Sequence, residues 1–136
     1  FHVRMERYVK DMQIEMGTMA EMLDTQILPA CYAYLGTLAD SAAKAKQAGI
    51  RTVPQKAAAE AVGGLVMKLQ ARAKTVQNVI KRADTLHGDI EKCAMLLTTA
   101  GADAMLAARE VSDELEVSIG DEYWPLPRYR EMLFPV

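Results

Sequence analysis

Apolar residues in the first third of the chain recur at helical rather than strand spacing. Met5, Val9, Met12, Met16, Met19 and Leu23 are separated by alternating steps of four and three, a heptad seam on one face of an α-helix. A second seam, Leu28, Cys31, Leu35, Leu38, Ala42 and Ala45, repeats that spacing in a shifted register. The offset falls beside Pro29, which lacks a backbone donor and predicts a kink there. Residues 2–47 therefore read as one long, bent helix. At 1.5 Å per residue it would be about 65–70 Å long, too long to fold without a partner surface.

Gly49 reads as a helix stop, and Thr52 with Gln55 has the spacing of a capping box, with Pro54 suited to the first turn. A second helix is expected over about 54–87, with Ala58, Val62, Leu65, Leu69, Ala73, Val76, Ile80 and Ala83 on its apolar face. Gly88 suits the left-handed position just past its end. The Gly63-Gly64 pair costs roughly 1 kcal/mol per glycine relative to alanine, so it marks a close helix contact or a local break. Asp89 is the expected cap of a third helix, about 89–119, carried by Ile90, Cys93, Leu97, Ala100, Ala104, Ala107, Val111 and Leu115. Its alanines allow close approach of neighbours. Gly120 ends it, Pro125 and Pro127 force the preceding residues out of helical dihedrals, and Arg128 to Phe134 suit one short helical turn. No run alternates apolar and polar residues, and the connections are short. The fold class is all-α: an antiparallel three-helix bundle with an extended, aromatic and proline-rich tail over 120–136.

Composition narrows the function classes. With 51% hydrophobic and 25% charged residues in 136, the chain is not a disordered tail. A domain of this length buries roughly 68% of its unfolded surface, yet it is small for a two-substrate enzyme. The net charge of -2 argues against a phosphate-neutralising nucleic-acid binder, and the basic run Lys68, Arg72, Lys74, Lys81 and Arg82 lacks interleaved aromatics. Charge is also unevenly distributed: residues 51–88 hold 7 basic and 2 acidic side chains, residues 89–122 hold 2 basic and 9 acidic. At about 0–1 kcal/mol per exposed pair, this complementarity would guide pairing of the second and third helices more than it would stabilise them. Cys31 and Cys93 sit inside helical patterns and read as buried thiols rather than a disulfide. No apolar run approaches the roughly 20 residues of a membrane span, and no signal peptide is visible, so a cytoplasmic location is expected. A helical pattern already runs at Phe1, as in a chain cut from something longer.

Candidate chemistry is sparse. His2 and His87 lack companions at ligand spacing for zinc. Asp84 and His87 make one incomplete copy of a motif that di-metal bundles need twice. A Cys93–His87 nucleophilic pair has no visible oxyanion site, and Gly63-Gly64 has no preceding strand to make a phosphate loop. No catalytic, metal-binding or cofactor-binding residue is expected in this segment. Met12, Met16 and Met19 on the seam read as core or fixed interface, with an adaptable partner groove as the other reading.

Two segments carry a resemblance. Glu6-Arg7-Tyr8-Val9-Lys10-Asp11-Met12-Gln13-Ile14-Glu15, then Gln26-Ile27-Leu28-Pro29-Ala30 and Tyr34, resemble the helix that follows the catalytic domain in type III glutamine synthetases. Asp113-Glu114-Leu115-Glu116 and the stretch from Asp121 to Phe134, with its Trp-Pro-Leu-Pro-x-Tyr-x-x-Leu-Phe ending, resemble that family's C-terminus. Both match in order and together cover roughly 40% of the chain; residues 40–110 match only in helical character. The resemblance implies a parent enzyme that joins ammonia to glutamate using ATP and two divalent cations, magnesium or manganese, as a large cytoplasmic homo-oligomer. It places the catalytic parts upstream. The segment's implied role is packing and assembly against the catalytic domain of the same polypeptide and neighbouring subunits, without nucleic acid or membrane. Tyr123, Trp124, Tyr129 and Phe134 concentrate aromatics in a chain otherwise poor in them, and with Met12, Met16 and Met19 they are the expected interface residues. The competing readings are a stand-alone helical adaptor binding through its Met-rich face and a small enzyme using Asp84 and His87.

Overall fold

The computed structural model describes residues 2–127; the expected helical turn from Arg128 to Phe134, and with it Tyr129 and Phe134, lies outside them. Helix α1 (His2–Met22) passes through a π-helical turn, Leu23–Ile27, into α2 (Leu28–Gln47). Helix α3 (Val53–Thr85) follows, then α4 (Ile90–Leu96), a second π-helical turn, Leu97–Gly101, and α5 (Ala102–Ser118). The described residues are thus three long helical spans without a strand.

The π turns explain the broken seams. Leu23 and Leu28 are five residues apart, which in a regular α-helix would place them about 140° apart around the axis. A π turn absorbs one extra residue through i→i+5 bonding, and the Leu28 N–H duly donates to the Leu23 carbonyl. Both leucines are buried. Pro29 follows in the first turn of α2, so the register shift belongs to the widened turn just before the proline. In the third span the second π turn interrupts what sequence spacing reads as one regular helix, and Leu96, Gly101 and Ala108 take buried positions. Ala107, expected on the apolar face, is only half-buried and its neighbour Ala108 faces inward instead, while Ala104, Val111 and Leu115 are buried as expected.

Three other local expectations are corrected. Thr52 makes no side-chain cap to α3; Gln55 Nε2 instead donates to Ser41 Oγ across to α2, at 3.3 Å. Gly49, at φ 73°, is the glycine with left-handed backbone among the described residues, and Gly88 is not. Gly63 and Gly64 neither break α3 nor mark a close contact, since a Cβ at either would meet nothing within 4 Å. Asp89 does cap its helix, its Oδ1 accepting from the Lys92 N–H at 3.2 Å.

Side-chain bridges order the spans. Ser41 meets Gln55, Tyr32 meets Gln70 and Asp24 meets Gln77, so residue numbers fall along α3 as they rise along α1–α2. Tyr8 with Thr98, Met16 beside Gly101, and Tyr34 with Tyr123 rise together. The core between them is apolar, with Met16, Leu69, Leu97, Leu115, Val76, Cys31 and Cys93 fully enclosed. Each large side chain of this kind contributes on the order of 1.5–3 kcal/mol. The ion pairs His2–Glu6 and Lys92–Asp89 are local and exposed, and α3 packs against α5 along the core. No helix of the described residues is long and apolar enough to cross a membrane.

Candidate functional site

The chain after α5 turns back on the bundle. Ile119 leaves the helix in extended conformation (φ -95°, ψ 139°), and the Tyr123 N–H closes a turn on the Gly120 carbonyl at 2.9 Å. Gly120 lies beside the Tyr34 ring, where a Cβ would make a 3.4 Å contact. Tyr123 packs edge-on against Tyr34, with ring centroids 5.4 Å apart, and shares a 2.6 Å hydroxyl hydrogen bond with Thr37. Trp124 enters the core and keeps 9% of its surface exposed. Leu126 then lies against the bundle at the wall of a groove.

That groove, about 430 Å³, opens between α1 with its π turn and α5. Its walls are apolar at Met19, Met22, Leu23, Ile27 and Met105, and its rim carries Glu15, Arg109 and Asp113. The geometry follows from local sequence. α1 packs closely on α4 and the second π turn, where Gly101 lets Met16 approach. Beyond that point α5 presents Ala108, too short to fill the space opposite the widened turn at Leu23–Ile27. π turns recur at functional sites because they expose or re-aim side chains in this way.

The expected interface residues are scattered by this arrangement. Met12 and Met16 are inside the chain's own core, Met19 is half-buried on the groove wall, and Tyr123 and Trp124 are packed against the bundle. Sequence reasoning missed Met22, Ile27, Met105 and Arg109; the five-residue step at Leu23–Leu28 was the available signal. Other chemistry-bearing groups point elsewhere. His87 Nδ1 lies 2.7 Å from the backbone carbonyl of Asp84, not its carboxylate. Both cysteines are free and buried. Burial pushes the Cys31 thiol up to about 11, and burial, then the Asp84 charge, raises Cys93, the opposite of nucleophile activation. Among the described residues no three His, Cys, Asp or Glu side chains cluster at metal-binding distance.

The sequence is similar to known proteins. Residues 1–46, the part of the chain that forms α1, the first π turn and most of α2, match the profile of the glutamine synthetase C-terminal domain. A type-3 glutamine synthetase from Dictyostelium discoideum is 26% identical over 136 residues, 95% of this chain and 18% of that protein. A glutamine synthetase from Bacteroides fragilis is 25% identical over 138 residues, 97% of this chain and 19% of that protein. The chain spans about a fifth of the length of these curated relatives. Nearly the whole chain is thus similar to part of a type-3 glutamine synthetase and to part of a second glutamine synthetase, and its first 46 residues match the glutamine synthetase C-terminal domain.

Proposed function

We propose that this chain serves as the helical C-terminal domain of a cytoplasmic glutamine synthetase, supporting packing and assembly rather than supplying catalytic groups. The observation that carries the reading is coverage: the similarity takes in 95–97% of this chain but only 18–19% of each relative, as a domain of a longer enzyme would. The longer protein would ligate ammonia to glutamate with ATP and magnesium or manganese, as a homo-oligomer, using residues outside this segment. The surface offers material for assembly. Leu106 and Val117 are 56% and 84% exposed on α5; eleven residues is close to three helical turns, so they share one face. Single exposed apolar residues are ordinary; here the two flank the exposed charges of Arg109, Glu110 and Asp113 on that face, so a contact there would combine apolar and charged groups. The adaptor reading through the Met face has less to work with, since Met12 and Met16 are committed to the internal core.

The test is on the whole protein encoded by the reading frame that contains this chain. Its mass in lysate should be several times 15.0 kDa, and the purified protein should form glutamine from glutamate, ammonia and ATP. A double substitution, Leu106→Asp with Val117→Asp, should shrink the assembly measured by mass photometry while leaving helical circular dichroism unchanged. A native product near 15.0 kDa, or an assembly indifferent to the double substitution, would overturn the corresponding half of the proposal.

A further inference from the structure

Past Thr37 on α2 and before Val62 on α3, the two helices run on without the third span. Tyr123 reaches α2 at Tyr34 and Thr37, and none of residues 38–61 joins the main core. Ala45 is the one buried side chain in that stretch, and Gln55 bonds across to Ser41. The pair is therefore a two-helix arm, which residues 38–47 carry about 15 Å past the bundle at helical rise. Its tip is held in one shape. The Gly49 N–H donates to the Lys46 carbonyl and the Ile50 N–H to the Ala45 carbonyl, at 3.2 and 2.8 Å, with Gly49 at φ 73°, the Schellman arrangement. That turn leaves Ile50 and Val53 64% and 69% exposed among the exposed bases Lys44, Lys46, Arg51 and Lys56, with no carboxylate anywhere in residues 44–56. We propose that this tip docks on the α5 face of a second copy of the chain, the face that carries Leu106 and Val117.

The two surfaces are complementary in chemistry and size. Asp103, Leu106, Glu110, Asp113 and Val117 are all exposed and step by three and four along α5, so they form one stripe. Residues 102–117 hold five carboxylates against Arg109, opposite in sign to the tip, and each surface sets two apolar side chains among its charges. Leu106 and Val117 lie about 17 Å apart at helical rise; two packed helices seen end-on are about 20 Å across, wide enough to cover both. The chain's own α5 is out of reach. Gly120, just past its end, sits beside Tyr34 at the base of the arm, so α5 runs back from there while the arm points away. A tip already ordered loses little freedom on docking, and the opposite charges steer the encounter and fix its register. Because unlike surfaces meet, the contact can repeat from copy to copy around a ring. The inference rests on the assembly role proposed above and supplies the partner for its exposed α5 residues.

The test uses whole protein that mass photometry shows to be assembled. With Ile50→p-benzoylphenylalanine, irradiation should give a denaturing-gel band at twice the chain mass, whose linked peptides join the probe to residues 103–117. The reverse probe, Leu106→p-benzoylphenylalanine, should link to residues 44–56 of another chain. Lys46→Glu with Arg51→Glu should abolish the Ile50-probe band, and adding Glu110→Lys with Asp113→Lys should restore it; all four positions are exposed, so helical circular dichroism should not change. Links confined to a single chain, links from the tip to any segment other than α5, or a band indifferent to the charge reversal would overturn the proposal. An assembled protein without the tip-to-α5 link refutes this docking alone, whereas a monomeric protein refutes the assembly role itself, and the docking with it.

Discussion

Gly101 and Met16 show how a single contact sets the spacing of the bundle. A Cβ on Gly101 would sit 3.3 Å from the Met16 sulfur, and Met16 is fully buried. Gly101 has helical dihedrals, φ -65° and ψ -50°, so alanine there gains roughly 1 kcal/mol of helix propensity while a flexible thioether gives by a few tenths of an ångström. Gly101→Ala is expected to be near neutral in urea denaturation, and Gly101→Leu to lose about 1–3 kcal/mol by overpacking. The Cys31 thiol offers a second test. Its unfolded form ionises near 9.0 and its folded form near 11, so the native state holds the proton longer. Its contribution is therefore complete below pH 9 and is lost as the pH rises toward 11. The fall in urea midpoint between pH 8.5 and 11 should be smaller in Cys31→Ala than in the parent, and Cys31 should resist alkylation at pH 8 until the chain unfolds.

Among the helices, capping separates what sequence pattern implies from what the backbone uses. The Asp89 carboxylate caps α4, whereas the Thr52 hydroxyl caps nothing at α3. Asp89→Ala should cost about 0.5–2 kcal/mol, and Thr52→Ala should leave the thermal midpoint nearly unchanged. A capping box needs the first residue extended, but Thr52 has φ -106° and ψ 1°, and Gln55 is drawn away toward Ser41. The π turns follow the same logic in the main chain. The first was legible as a five-residue step between seams. The second was hidden because Ala100, Ala104 and Ala107 give almost the same pattern as the true buried set, Gly101, Ala104 and Ala108. Small residues carry little periodic signal, so neighbours decided which of them face inward.

At the scale of the molecule, the tail is part of the fold. Tyr123 and Trp124 join α2 and the core to the segment after α5. Trp124→Ala should lower stability by about 3–5 kcal/mol, read as a large drop in thermal midpoint; an unchanged midpoint would show that the tail is not anchored there. The opposite net charges of residues 51–88 and 89–122 work at this scale too, favouring one arrangement of the three helical spans.

The sequence by itself determined the all-helical class, the limits of the three spans to within a few residues, most of the buried positions on the first two, the burial of both cysteines, and the family resemblance. These are local or periodic properties: helical spacing, a glycine stop at Gly49, an aspartate cap at Asp89, and a run of specific residue types near each end. Only the tertiary structure decided where the extra residue of each seam is absorbed, that Met12 and Met16 are spent on the internal core, and that a groove stands between α1 and α5. A cavity is the space left when separate elements meet. Its walls come from residues as distant as Ile14 and Leu126, and no periodicity within one helix encodes the gap to another.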